Sequence, residues 1–330
     1  TNWNILYKYK TERTYIPVIV VEKLLKLIGK DWQFVKDNID EIKFNSGFPF
    51  KVLGTKLEVD FNTKEGAKII AALLGDGYNK SYNLGVGYVN KNPVLRKEFL
   101  NNLTKLFKCI ELRDYSKTCD GKTLQLPIFF SYVFEKAGVP CGRKVLINPG
   151  APEWLLRTGR IEVICAYLQQ IFDDEGHVSA EKRMIDLPQS VDVSNGKRVP
   201  KQLIDITNLL NRLTIKINNP YVVRNYIVKE GNKAYKRSKF VLTISNYLEL
   251  KKFKEQVGFL SQHKQERLDK IVSTPCLIQR KNKQIEKDVL KVCKKFQSQN
   301  RAITSLLLAK ELEVGERYAQ KLLKRLTITG

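Results

Sequence analysis

Only two histidines, His177 and His263, occur in the 330 residues, and the six cysteines never fall as C-x-x-C or beside a histidine at ligand spacing. That poverty argues against a structural zinc site, which needs nitrogen or sulfur ligands at short, regular separations. With no secretory signal, the cysteines read as reduced, mostly buried thiols rather than a disulfide framework. Long apolar runs are missing too. None approaches the ~18 residues of a bilayer crossing, and the greasiest stretch, IPVIVV (16–21), is stopped by Glu22 and Lys23. No charged-then-apolar start resembles a signal peptide. The expectation is a soluble, cytoplasmic protein with no membrane partner. Acidic residues are scarce as well: 34 Asp and Glu face 58 Lys and Arg, a net charge of +24.

What is present points to a polyanion. Hydrophobic residues reach 43%, enough to bury a core, which excludes wholesale disorder. Each phosphate that a basic protein neutralises releases condensed counterions, so the charge excess favours nucleic acid. A membrane-surface protein concentrates its basic residues on one amphipathic helix or tail. Here they are spread along the whole chain.

The organisation is an internal repeat, weak in identity. KEGAKIIAALLGDG (64–77) and RIEVICAYLQQIFDDEG (160–176) each give an apolar helix ending in an acid followed by glycine, then strand-like runs. Unit one continues with a glycine-punctuated hairpin (78–90), a helix (93–108), strands at 109–118 and 122–128, and a closing helix (129–138). Unit two repeats the order α-β-β-α-β-β-α with a hairpin region at 182–194, a helix at 200–213, strands at 221–229 and 237–245, and a helix at 248–258. Pro188 inside the first hairpin leaves its regularity open. The expected divisions are an N-terminal helical extension (1–60, helices at 18–29 and 32–42), repeat one (61–147), a linker (148–160, NPGAP at 148–152), repeat two (161–272) and a C-terminal domain (273–330). The last, RAITSLLLAKELEVGERYAQKLLKRL (301–326), has helix-turn-helix spacing, with Arg317 and Lys321 on the polar side of its second helix. A two-helix packing element has the same spacing.

A carboxylate at a helix C-terminus opposes the negative end of the helix dipole. Once, this is a solvated acid before a stop glycine. Twice, at matching positions, it suggests that the helices pack about a pseudo-twofold axis and bring Asp76 and Glu175 together. Two adjacent carboxylates demand a cation, and oxygen-only ligation selects Mg²⁺ or a similar hard ion.

IIAALLGDG (69–77) and LQQIFDDEG (168–176) resemble the two motifs of a single-chain LAGLIDADG homing endonuclease, over roughly 61–272. The resemblance implies an α+β fold of two pseudo-symmetric αββαββα repeats with saddle-like antiparallel sheets. It implies a monomeric endonuclease that hydrolyses both strands of a long DNA site across the minor groove. Two or more Mg²⁺ ions would be held by Asp76 and Glu175, with Gly75 and Asp174 beside them. GVPCGRK (138–144) and VGFLSQHK (257–264) each close a repeat with a lysine, so Lys144 and Lys264 take the family's basic role near the active site. A solvated loop lysine would look the same. The family places small residues where the motif helices touch. Unit one complies with Ala71, Ala72 and Gly75, but unit two has Gln169, Gln170 and Asp174.

The family's sheets face the major groove, which makes alternate strand residues DNA-binding candidates. In unit one these are Lys80, Arg113, Tyr115 and Lys117. In unit two they are Lys182, Arg183, Arg224, Tyr226, Arg237 and Lys239, with Arg237, Lys239, Val241 and Thr243 alternating against Ser238, Phe240, Leu242 and Ile244. Arg and Lys serve guanine edges and phosphates alike, so the sequence leaves their roles open. The competing class is a non-cleaving binder on the same fold, a transcription regulator or an intron RNA maturase. A purely structural protein explains neither the charge nor the paired acids.

Overall fold

The computed structural model describes residues 16–39, 41–42, 50–51, 59–80, 85–108, 121–194, 196, 199–231, 233–273, 282–299, 302–312, 314 and 316–329. Arg113, Tyr115, Lys117 and the strand expected at 109–118 lie outside them, as does the side chain of Arg317. The chain is a mixture of helices and antiparallel sheets. It opens with α1 (Val18–Ile28) and α2 (Trp32–Asn38), followed by a two-residue ladder of β1 (Glu41–Ile42) and β2 (Phe50–Lys51). The helix expected over 32–42 therefore stops early, where Ile39 turns extended.

Two helices form the spine. In α3 (Lys64–Leu74), Thr63 caps the N-terminus by accepting from the Gly66 amide at 3.1 Å. Every residue from Gly66 to Leu74 except Lys68 is buried, because α3 is covered on all sides. It packs along α8 (Ile161–Glu175), whose Ile164, Tyr167, Leu168, Ile171 and Phe172 are fully buried. Between them in sequence come β3 (Gly77–Asn79), β4 (Val86–Val89), α4 (Pro93–Leu106), β5 (Thr123–Leu126), α5 (Ile128–Lys136), α6 (Lys144–Ile147) and α7 (Glu153–Arg157). The segment expected to be a plain linker thus carries α7.

After α8 come β6 (His177–Ser179), β7 (Met184–Asp192), α9 (Lys201–Arg212), β8 (Tyr221–Glu230), β9 (Lys233–Ile244), α10 (Tyr247–Gln256) and α11 (Gln262–Ser273). The first sheet runs β3-β4-β5 among the described residues, and the second β6-β7-β9-β8. In the first, the opposed pairs Val86–Leu126 and Tyr88–Leu124 face the core. In the second, Leu187, Val191, Phe240 and Leu242 do so. Burying each such side chain contributes about 1.5–3 kcal/mol.

Pro188 leaves β7 regular: it stays in register opposite Val241. Pairing with β6 ends at Asp186, so the proline sits on an open edge where a missing N–H is tolerated. Past this edge α6 packs against β7. One apolar core runs through both sheets and both spine helices.

A second, smaller core belongs to α12 (Asn282–Ser298), α13 (Ser305–Glu311) and α14 (Glu316–Thr329), built on Val289, Leu308, Ala309, Leu312, Ala319 and Leu322. No strand occurs among the described residues after Ser273. Cys141, Cys165 and Cys293 are free thiols, each half-buried rather than enclosed. Among the described residues no helix is long and apolar enough to cross a membrane.

Candidate active site

The acid-glycine step has a steric cause. Directly after α3 and α8 the chain reverses into β3 and β6 against its own helix. A Cβ on Gly77 would lie 2.6 Å from Leu73 Cα, and one on Gly176 would lie 2.4 Å from the Phe172 carbonyl oxygen. Only glycine fits both turns, and each turn leaves the preceding acid, Asp76 or Glu175, at a helix end. The helices approach closely there, since a Cβ on Gly75 would stand 3.0 Å from Asp174 Cβ. The large residues of unit two are accommodated sideways. Gln169 donates to the Val257 carbonyl at 3.0 Å, and Gln170 folds along its helix to Asp174 at 3.1 Å.

Each helix end also holds a lysine. Lys144 Nζ donates to the carbonyls of Leu74 (3.0 Å), Gly77 (2.9 Å) and Gly75. Lys264 Nζ donates to the carbonyls of Phe172 (3.1 Å) and Asp173 (2.5 Å). These bonds satisfy carbonyls that a helix terminus leaves unpaired and place positive charge at the negative dipole end. The loops that carry the lysines are tied back to the motifs. Asn79 binds the carbonyls of Ser131 and Val139 at 3.3 and 2.9 Å, and its own carbonyl accepts from the Gly142 amide at 2.8 Å. Asp173 accepts the amides of Leu260 and Ser261 at 2.8 and 3.0 Å, fixing the start of α11.

Electrostatically the four groups form one cluster. Burial raises the Asp76 carboxyl above its ordinary range, against the pull of Lys144, Lys264 and Asn90. Burial and then Asp76 raise Glu175, with both lysines opposing. Burial lowers both ammonium groups; Glu175 is the strongest charge resisting this at Lys144, and Asp173 at Lys264. Both acids act on both lysines, so the helix ends share one site. Glu175 accepts no hydrogen bond from a described residue, whereas Asn90 Nδ2 reaches Asp76 Oδ2 at 2.8 Å.

Asn90 belongs to a network invisible in the sequence. Its amide also contacts Asp174 Oδ1 and the Tyr88 hydroxyl, both at 3.1 Å, while Tyr88 donates to Asp174 Oδ1 at 2.6 Å. Burial lifts the Asp174 carboxyl well above its usual value, and burial together with Asp174 raises the Tyr88 hydroxyl. The only local hint was Asn90 standing two residues before the helix cap Asn92, which reads as turn chemistry.

The donor set suits a hard cation. Four carboxyl groups (Asp76, Asp173, Asp174, Glu175) crowd two ammonium groups, and burial raises all four carboxyls, so a cation between Asp76 and Glu175 would favour their charged forms. Among the described residues no three of His, Cys, Asp and Glu form a ready cage. An ion at Asp76 and Glu175 would complete its shell with carbonyls, water or a substrate oxygen, as Mg²⁺ commonly does. The Gly75 carbonyl is engaged by Lys144, and the Asp174 carboxylate by Tyr88, Asn90 and Gln170. Each keeps acceptor capacity beyond these bonds, since a carbonyl oxygen has two lone pairs and Asp174 Oδ2 accepts from Gln170 alone among the described residues.

Around the centre, the second sheet exposes a basic face. Opposed residues share a face, so the register aligns Ser190, Lys239 and Arg224 in one row and Asp192, Arg237 and Tyr226 in the next. Lys239 and Ser190 line a cleft of about 330 Å³ together with Lys144 and Glu175. Lys80 is exposed at the first sheet, 4.8 Å over the Tyr78 ring. Lys182 is exposed in the β6–β7 turn, whereas Arg183, at φ 54°, donates to the Ile271 carbonyl at 3.0 Å. Lys321 is exposed on α14.

No protein-family model matches the chain. It is 27% identical over 214 residues to glutamine–fructose-6-phosphate aminotransferase [isomerizing] of Methanocaldococcus jannaschii, covering 64% of this chain and 18% of that one. The chain thus spans under a fifth of that relative's length. Among solved structures, it is similar to mesophilic variants of the homing endonuclease I-DmoI (TM-score 0.38, 15% identity, 62% of this chain and 94% of that one). I-DmoI in complex with DNA and Ca gives a TM-score of 0.35 at 17% identity, over 62% and 93%. The N-terminal LAGLIDADG domain of DUF199/WhiA gives 0.32 at 15%, over 66% and 91%. At these scores the likenesses carry no weight for site chemistry.

Proposed function

We propose that the chain is a site-specific double-stranded DNA endonuclease of the LAGLIDADG homing type, acting as a monomer. One observation carries the reading: Asp76 and Glu175 stand at the ends of two packed helices, each end clasped by its own lysine, beside a basic sheet face. A binding protein gains nothing from juxtaposed carboxylates next to a polyanion, whereas phosphodiester hydrolysis needs them to hold metal. Mg²⁺ bound by Asp76 and Glu175 would supply Lewis-acid stabilisation of the reacting oxygens and a more acidic water. The chain's own groups do the rest. Asn90 orients the Asp76 carboxylate, and Lys144 and Lys264 keep positive charge where negative charge grows on the phosphate. The basic strands position the duplex.

The test is incubation with a randomised double-stranded DNA library and Mg²⁺, alongside Asp76→Asn and Glu175→Gln. Recovery of one long site, cut on both strands by the wild type and by neither variant, is expected. Equal selection without cutting by all three proteins refutes the enzyme. A specific observation favours that second reading, a non-cleaving regulator or an intron RNA maturase: the three helices after Ser273 have their own core and expose Lys321. The aminotransferase activity of the relative finds no counterpart in this site's chemistry.

A further inference from the structure

Among the basic residues of the second sheet, Arg224 is held by a specific stacking contact. Arg224 lies with its guanidinium 5.0 Å over the centroid of the Tyr226 ring, on the same strand and two residues away. Tyr226 in turn crosses the face of β9 to donate its hydroxyl to Ser190 Oγ on β7 at 2.9 Å. A hydroxyl anchor therefore fixes the ring, and the ring fixes the plane of the guanidinium. Arg224 is exposed and has no carboxylate partner among the described residues, so its fork of N–H donors is unspent. A register irregularity between Val222 and Arg224 marks a bulge immediately before it, the kind of feature that re-aims a side chain. Lys239 occupies the same row but lines the cleft with Glu175 and Lys144, where the reacting phosphate belongs.

From this division we infer that Arg224 is the base-reading residue of the second sheet and recognises guanine, while Lys239 serves the sugar–phosphate backbone. The inference rests on the DNA-binding reading above. A flat, pre-oriented fork matches guanine O6 and N7 in the major groove, and Arg loses little freedom when already stacked. A compact ammonium beside the paired carboxylates matches a phosphate oxygen. Tyr226 and Ser190 act through Arg224 and are positioning residues.

The test is selection of randomised double-stranded DNA by binding, in Ca²⁺, with the wild type, Arg224→Lys, Tyr226→Phe and Lys239→Gln, followed by salt titration on the best site. Arg224→Lys keeps the charge and loses the fork. One guanine position should relax to near-equal base use, with about 10- to 100-fold weaker binding to the best site and an unchanged salt slope. Tyr226→Phe should relax the same position partway. Lys239→Gln should weaken all sequences alike and lower the salt slope by about one. Uniform weakening by Arg224→Lys across sequences, with no position relaxed, overturns the assignment but leaves DNA binding standing. Failure of the wild type to select any DNA overturns both.

Discussion

At the scale of single residues, the site divides into groups that carry charge and groups that hold them. Lys144 is the clearest charge carrier, because its ammonium meets three main-chain carbonyls and also feels Glu175 and Asp76. Lys144→Met keeps the length and removes the charge. Cleavage should fall about 100-fold or more, the size typical of losing one electrostatic stabiliser. DNA affinity should change little, as read by single-turnover cleavage beside equilibrium binding. Asp76 and Glu175 were legible in the sequence because the acid-glycine step is a local pattern, whereas Lys144 and Lys264 were reached only through the family resemblance. Asn90, Tyr88 and Gln170 were not. Their roles depend on contacts to Asp174 across the helix pair, and nothing near them in sequence announces those partners. The doubled glutamines of unit two read as a departure from close packing, yet each found a partner beside the contact rather than in it.

At the scale of elements, the spine helices are secured both by burial and by a few polar ties. Lys68 on α3 reaches Glu98 on α4 at 2.7 Å, both partly buried. Burial alone would raise the Glu98 carboxyl, but the Lys68 hydrogen bond and charge prevail and hold it below its ordinary value. A carboxylate with a lowered folded-state value stabilises the fold above its unfolded value. That stability disappears as pH falls through the folded value. Glu98→Gln should therefore cost about 1 kcal/mol near pH 7 and almost nothing in strong acid, by urea unfolding at both pH values. The helix-turn glycines give a sharper prediction. Gly176→Ala must displace backbone, so a loss of roughly 1–3 kcal/mol is expected in the same assay. Apolar patterning located α3, α8 and the hairpin of β8 and β9, whereas the stretch 182–194, expected to hold a whole hairpin, is the single strand β7 paired with β6 ahead of it. It missed the full length of α12, where Ile285, Val289, Leu290, Val292, Cys293 and Phe296 are scattered through a run of lysines and other polar residues.

At the scale of the whole molecule, two separate cores imply two units of stability. The larger one joins both sheets through α3 and α8, so neither repeat can lose its spine helix without exposing the other's. The smaller one closes on itself within α12 to α14, where α13 packs on α14 and Lys295 pairs with Glu311 at 3.2 Å. Removing residues 274–330 should therefore leave the larger unit folded, with its circular dichroism and its own cooperative urea transition intact. Function separates the possible uses of the smaller unit. If the three helices lengthen contact with the same duplex, truncation shortens the protected site, weakens binding and flattens the salt dependence, because fewer phosphates are neutralised. Footprinting the same target with the full and truncated chains reads this directly. An unchanged footprint with unchanged cleavage would mean that the helices serve packing or a different partner, and the positive charge of the sheets would then account for holding the cleaved duplex.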